Sequence, residues 1–85
     1  MKTLFLVLMI ALDETSYLFH RLPFSYSSDQ EPITCDEFFE SKVIFKDGNT
    51  FYKRFIVMAH HCEDQDGNYY IGYEEKLNWQ LNDTD

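Results

Sequence analysis

The stretch from Lys42 to Lys76, KVIFKDGNTFYKRFIVMAHHCEDQDGNYYIGYEEK, limits the fold more than any other part of the chain. Three apolar and aromatic runs are separated by two turn signals, Asp47-Gly48-Asn49 and Asp66-Gly67-Asn68. Asp, Asn and Gly are the residues that tolerate the positive φ of tight hairpin turns. The pattern predicts an antiparallel three-stranded meander with strands over 42–46, 50–62 and 69–76. In the second run Phe51, Lys53, Phe55, Val57 and Ala59 alternate with Tyr52, Arg54, Ile56 and Met58, the period of two that a strand requires. A strand this long is expected to bend or bulge near Ala59. In the third, Gly72 is expected to let a neighbouring backbone approach.

Upstream, Lys2 is followed by a nearly apolar run from Thr3 to Leu12. Its outline is that of a secretory signal, but Leu12 leads straight into Asp13-Glu14 without a small-x-small cleavage pattern. A helix needs about 20 apolar residues to cross a bilayer, and this run is shorter. It reads as a buried strand over 3–12, apolar on both faces and central in the sheet. A buried helix is the alternative, since periodicity does not decide for a continuous apolar run. After a turn at Asp13 to Ser16, a second strand is expected over 16–22. Pro23 is expected to end it, because proline cannot donate to a ladder. His20 falls on the mainly apolar face of that strand and reads as a core histidine.

Ser25 to Pro32 is a polar loop, with Tyr26 expected at the surface. Thr34-x-x-Glu37 then matches a capping box, in which Thr34 accepts from the Glu37 N–H and the Glu37 side chain returns to the Thr34 N–H. It opens a short helix over 35–41. Phe38 and Phe39 would pack this helix on the sheet, with Asp36 and Glu37 at its positive end. Leu77 to Asp85 reads as a fraying tail pinned by Trp79 and Leu81. The sum is an α+β fold in one domain over residues 1–85: an antiparallel sheet of about five strands, including the C-terminal meander, with one short helix.

Size and charge bound the function. A chain of 85 residues buries only about 60% of its unfolded surface, so its core is thin and an interior catalytic cavity is hard to fit. Its apolar content of 45% and its fifteen aromatics still place it in the globular class. Fifteen acids against seven bases leave a net charge of −8, which repels nucleic acid and anionic membranes and directs the chain to basic surfaces. Two cysteines are too few for a disulfide framework. Reduced thiols in a cytoplasmic protein are expected, with a single bridge as the alternative.

No phosphate-binding glycine loop, dinucleotide fingerprint, nucleophile elbow or kinase signature occurs, so no enzymatic activity and no cofactor are expected. His60-His61-Cys62 sets His60 and Cys62 on the same side of a strand. With Cys35 these form a candidate zinc set, completed by His20 or a carboxylate, although CxxC or HxxxH spacing is lacking. Asp64, Asp66, Asn68, Ile71 and Glu75 resemble part of an EF-hand calcium loop, with Tyr69 where that loop has glycine. A hairpin turn with acidic residues accounts for the same letters.

The functional expectation is a small acidic inhibitor that covers a basic, nucleic-acid-binding surface of a larger protein, through charge mimicry or steric occlusion. By analogy of size and charge, such chains are typical of phage-encoded inhibitors of host defence, including anti-CRISPR proteins and DNA mimics, acting in the host cytoplasm. The expected contact residues are Asp29, Glu31, Asp36, Glu37 and Glu40, then Glu63, Asp64, Asp66, Tyr70, Glu74 and Glu75. The alternative is a zinc-stabilised structural or regulatory module on Cys35, His60 and Cys62. No direct contact with nucleic acid or membrane is expected.

Overall fold

The apolar run near the N-terminus is a strand, and the rest of the chain is built around it. In a computed structural model describing residues 1–82, β1 (Lys2–Ala11) pairs antiparallel on one side with β2 (Tyr17–Tyr26) and on the other with β5 (Phe55–Glu63). The full strand order is β2-β1-β5-β4-β3, with β3 (Ile44–Lys46) and β4 (Asn49–Tyr52) completing one antiparallel sheet. Two helices, α1 (Cys35–Lys42) and α2 (Tyr73–Asn82), complete the α+β fold. No helix among the described residues is long and apolar enough to cross a membrane.

Alternation along β1 sorts its side chains into two faces. Leu4, Leu6, Leu8 and Ile10 are buried and share a core with Phe38, Phe39, Cys35, Val43, Cys62 and Tyr70. Leu22 and Phe24 of β2 face the same layer, and the Phe24 ring stacks on Phe38 at 3.8 Å. Beside them His20 is half-buried, its ring 5.3 Å from that of Tyr52. Tyr26 is half-buried against this core and is not the surface residue expected of it. Among the described residues no helix covers the opposite face of the sheet, which carries Phe5, Met9, Phe19 and Ile56 together with the buried Val7.

α1 starts as the capping signal predicts, with Thr34 Oγ1 accepting from the Glu37 N–H at 3.1 Å. Only half of the box forms, because the Glu37 carboxylate pairs with Lys76 of α2. The hairpin at Asp47-Gly48 is also as expected: both residues take positive φ, and Lys46 pairs with Asn49. The bulge lies next to Ala59, where Met9 pairs with Ala59 but Ile10 with Val57, leaving Met58 extra.

Four expectations are corrected. The single strand over 50–62 is two, β4 and β5, joined by a turn at Lys53-Arg54 that pairs Tyr52 with Phe55. Lys53 holds φ +55° there, a conformation that carries no glycine or asparagine signal in the sequence. The strand over 69–76 is absent. Tyr69 makes one bridge to Glu63, and α2 begins at Tyr73. Gly72 at φ +96° breaks the extended run, its carbonyl accepts from the Lys76 N–H, and the Glu-, Lys-, Leu- and Gln-rich segment beyond favours helix. The expected tail is therefore helical through Asn82, and its last three residues, 83–85, lie outside the described residues. Pro23 does not end β2, which runs on to Tyr26. β2 is an edge strand, bonded on one side only, where proline is tolerated.

The fourth correction concerns the thiols. Cys35 and Cys62 are joined in a disulfide with Cα atoms 5.7 Å apart. The bond ties the first residue of α1 to the central part of the sheet. By loop entropy, a crosslink across 27 positions constrains the unfolded chain by about 3–4 kcal/mol. The double variant Cys35→Ala/Cys62→Ala is expected to lose about 3–4 kcal/mol of unfolding free energy in urea titration, and reduction of the wild type should reproduce the loss. A deficit below about 1 kcal/mol would show that side-chain packing alone holds the helical layer.

Candidate functional site

The two acidic segments singled out from the sequence are far apart in the chain, and the structure brings most of their residues together. The join is made by backbone. The Cys35 N–H donates to the Ile71 carbonyl at 2.8 Å, and the Tyr70 N–H to the Cys62 carbonyl at 2.9 Å. Gly72 makes this approach possible: a Cβ there would lie 2.8 Å from the Thr34 Cα and 2.9 Å from the Ile33 carbonyl oxygen. The first turns of α1 and α2 consequently meet. Tyr73 Oη donates to Asp36 Oδ2 at 3.2 Å, and Lys76 Nζ donates to Glu37 Oε1.

The carboxylates at this junction set a negative field that its other groups register. The Tyr73 phenol is raised above its ordinary value, chiefly by its hydrogen bond to Asp36 and further by the charges of Asp36, Glu37 and Glu40. Lys76 is also raised, first by its hydrogen bond to Glu37, with Glu31 contributing at longer range. The same pair lowers Glu37. Glu74 and Glu75 lie in the first turn of α2, next to this junction and favourably placed at the positive end of the helix. Tyr69, Ile71 and Tyr73 are exposed beside these acids, Tyr69 to 80%.

The remaining expected contacts are distributed differently. Asp64 closes its own turn: Oδ1 accepts from the N–H groups of Asp66 at 2.9 Å and Asn68 at 3.0 Å. These bonds, that from Asn68 first, hold its carboxyl below the ordinary value. The segment that resembles a calcium loop is thus a self-bonded turn followed by a helix. Asp66 is exposed in that turn. Asp29 accepts from the Ser27 hydroxyl within the polar loop. Glu63 points elsewhere, to His61 at 2.8 Å and Arg21 at 3.5 Å on the uncovered sheet face. Tyr70 is not a surface anchor. It is 6% exposed and donates to the Ile33 carbonyl at 3.2 Å. Burial, then a hydrogen bond with Tyr26, raises its phenol far above the usual range.

The zinc set does not survive the disulfide, since neither Cys35 nor Cys62 retains a thiolate. Among the described residues no group of three or more His, Cys, Asp or Glu side chains is placed to hold a metal ion. His60 stacks flat on Phe39 at 3.6 Å, with its Nε2 3.6 Å from Asp36 Oδ1. A shallow groove of about 420 Å³ runs beside it, bounded by Asp36, His60, Tyr69, Tyr70 and Ile71. Tyr69, Ile71 and Tyr73, exposed beside the acids, fall in the run whose alternation predicts a strand. A glycine followed by Tyr-Glu-Glu-Lys-Leu was the signal available for a helix start. The chain matches no protein-family model, no curated protein and no solved structure.

Two measurements probe this junction. Gly72→Ala is expected to cost about 2–3 kcal/mol in chemical denaturation, from backbone collision plus positive φ. Gly67→Ala, at φ +85° with open space around it, should cost only about 1 kcal/mol. Equal costs would mean that the 72/34 approach is not tight. The Asp64 carboxyl is lower in the folded state, so its contribution is full above the ordinary value of 3.8 and is lost as pH falls through its lowered value. The thermal stability advantage of wild type over Asp64→Asn should therefore shrink on acidification below that value. An advantage constant from pH 7 to about pH 2 would remove the charge from the account of this turn.

Proposed function

We propose that the chain is a protein-binding inhibitor whose acidic helical junction covers a basic, nucleic-acid-binding surface of a larger partner. The observation that supports this most is the convergence of Glu31, Asp36, Glu37, Glu40, Glu74 and Glu75 where α1 meets α2, with Tyr69, Ile71 and Tyr73 exposed beside them. Carboxylates there take the Lys and Arg contacts that phosphates make on such a surface, and the exposed aromatics anchor the interface. The groove along Tyr69 and His60, with Asp36 at its rim, suits an arginine guanidinium, which stacks on rings and pairs with carboxylates. The reading is one of binding, not catalysis. It is the class to which phage-encoded inhibitors of host defence belong, and the partner is named here only by its chemistry.

The test is an affinity capture of nucleic-acid-binding complexes on immobilised protein, followed by binding titrations with each captured partner. Binding should fall steeply with added salt and be displaced by duplex DNA. The variant Asp36→Asn/Glu40→Gln/Glu74→Gln, which leaves the Glu37–Lys76 pair intact, should bind roughly 10- to 100-fold more weakly. Binding indifferent to salt and unchanged in that variant would sink the proposal.

A further inference from the structure

The face of the sheet opposite the helices is organised in rows that the strand registers define. One row crosses all five strands: Tyr17, Ala11, Ile56, Phe51 and Ile44. The next is Phe19, Met9 and Ala59. The first row contains no charge, and beside the second, at the β3–β4 margin, the pair Lys46 and Asn49 stands on the same face. Phe19, Ile44 and Ile56 are exposed, Phe19 to 64%. On β2, β1 and β5 polar residues begin in the following rows, where Arg21 lies over the Phe5 ring at 4.3 Å and pairs with Glu63. At the apolar end is an open hollow of about 590 Å³ floored by Ala11, Ile56 and Met58. Its rim carries Asp13 and Glu14, from the β1–β2 turn, and Arg54, from the β4–β5 turn.

We infer that this face is the interface of a homodimer, two copies packing sheet on sheet about a two-fold axis parallel to the strands. Three observations select a second copy as the occupant. The first is charge. In a chain of −8, contact through the acidic helical junction would oppose like charges, whereas on the sheet face Glu63 and Arg21 already pair with each other and Lys46 stands alone at the β3 margin, where it opposes no like charge of the rows. The second is self-complementarity. The acidic turn and Arg54 lie at the same end of the sheet but on opposite sides of the hollow. A two-fold axis along the strands exchanges those sides, setting Arg54 of each copy against the other copy's Asp13-Glu14 turn. It likewise sets Tyr17 and Phe19 of the β2 side against Ile44 and Phe51 of the β3–β4 side. This is the relation an isologous interface requires. The third is size. Strands of ten, ten, nine, four and three residues, at about 3.3 Å per residue and about 4.8 Å apart, give a face of roughly 550–600 Å², the larger part of the roughly 800 Å² per partner of a standard stable interface. The helical junctions of both copies are left facing outward.

Sedimentation equilibrium of the full chain between about 1 and 200 µM, a range that spans ordinary homodimer affinities, tests the assignment. The wild type is expected to sediment as a dimer of the 10.2 kDa chain. Phe19→Glu, at an exposed position of an edge strand, should be monomeric with unchanged far-ultraviolet dichroism. Arg54→Glu should weaken the dimer several-fold, and adding Glu14→Arg should restore it. A wild type that stays monomeric throughout, or a dimer that persists in Phe19→Glu, overturns the interface. A dimer indifferent to both charge changes, or not restored by the second, overturns the two-fold arrangement. Oligomeric state is read without any partner, so failure here leaves the proposed inhibitory function untouched.

Discussion

The fully apolar face of β1 governs this molecule. Leu4, Leu6, Leu8 and Ile10 need a lid, and a chain of this length supplies only one layer of helix. α1 provides it with Phe38 and Phe39, and the Cys35–Cys62 bond fixes the start of that helix to the sheet beneath. The segment from Tyr69 to Gly72 then bonds to both partners of the disulfide through their backbones, which in turn seats the first turn of α2. The acidic junction and the bare sheet face are both consequences: one is where the lid is fastened, the other is what the lid does not reach.

The parts of this arrangement legible in the sequence were those encoded by local chemistry. Asp47-Gly48 specifies a turn because two successive residues must take positive φ. Thr34 specifies a helix start because its hydroxyl can accept an orphan N–H. The apolar run of β1 admits a central strand or a buried helix, and pairing along both of its edges decides for the strand. What escaped was set by tertiary context. The Lys53-Arg54 turn has no residue that prefers φ +55°, and it forms because β4 and β5 gain a ladder by pairing across it. The cysteine pairing depends on α1 lying over β5, a through-space fact with no trace in a spacing of 27. Residues 69–76 alternate like a strand, yet the close approach at Gly72 and the helix formers beyond it prevailed. Of the site, the identities of the acids were readable, but their convergence was not, and Tyr70 was misread because its burial follows from that same convergence.

The two unlike surfaces are compatible because they lie on opposite layers of a thin slab, 52 × 29 × 16 Å in extent. The helical side carries the carboxylates of the junction. The sheet side carries the Arg21–Glu63 pair and Lys46 beside two apolar rows. Four of the seven bases fall between residues 42 and 54: Lys42 ends α1, Lys46 ends β3, and Lys53 and Arg54 form the β4–β5 turn.

Pro23 has a consequence at the margin of the sheet. β2 is ten residues long and outermost, the kind of border onto which a foreign strand can add and seed fibres. A proline within it offers no amide hydrogen and interrupts the template partway along. The opposite border, β3, is only three residues long. The same residue that local rules place at a strand end thus shortens the template that the sheet offers to a foreign strand.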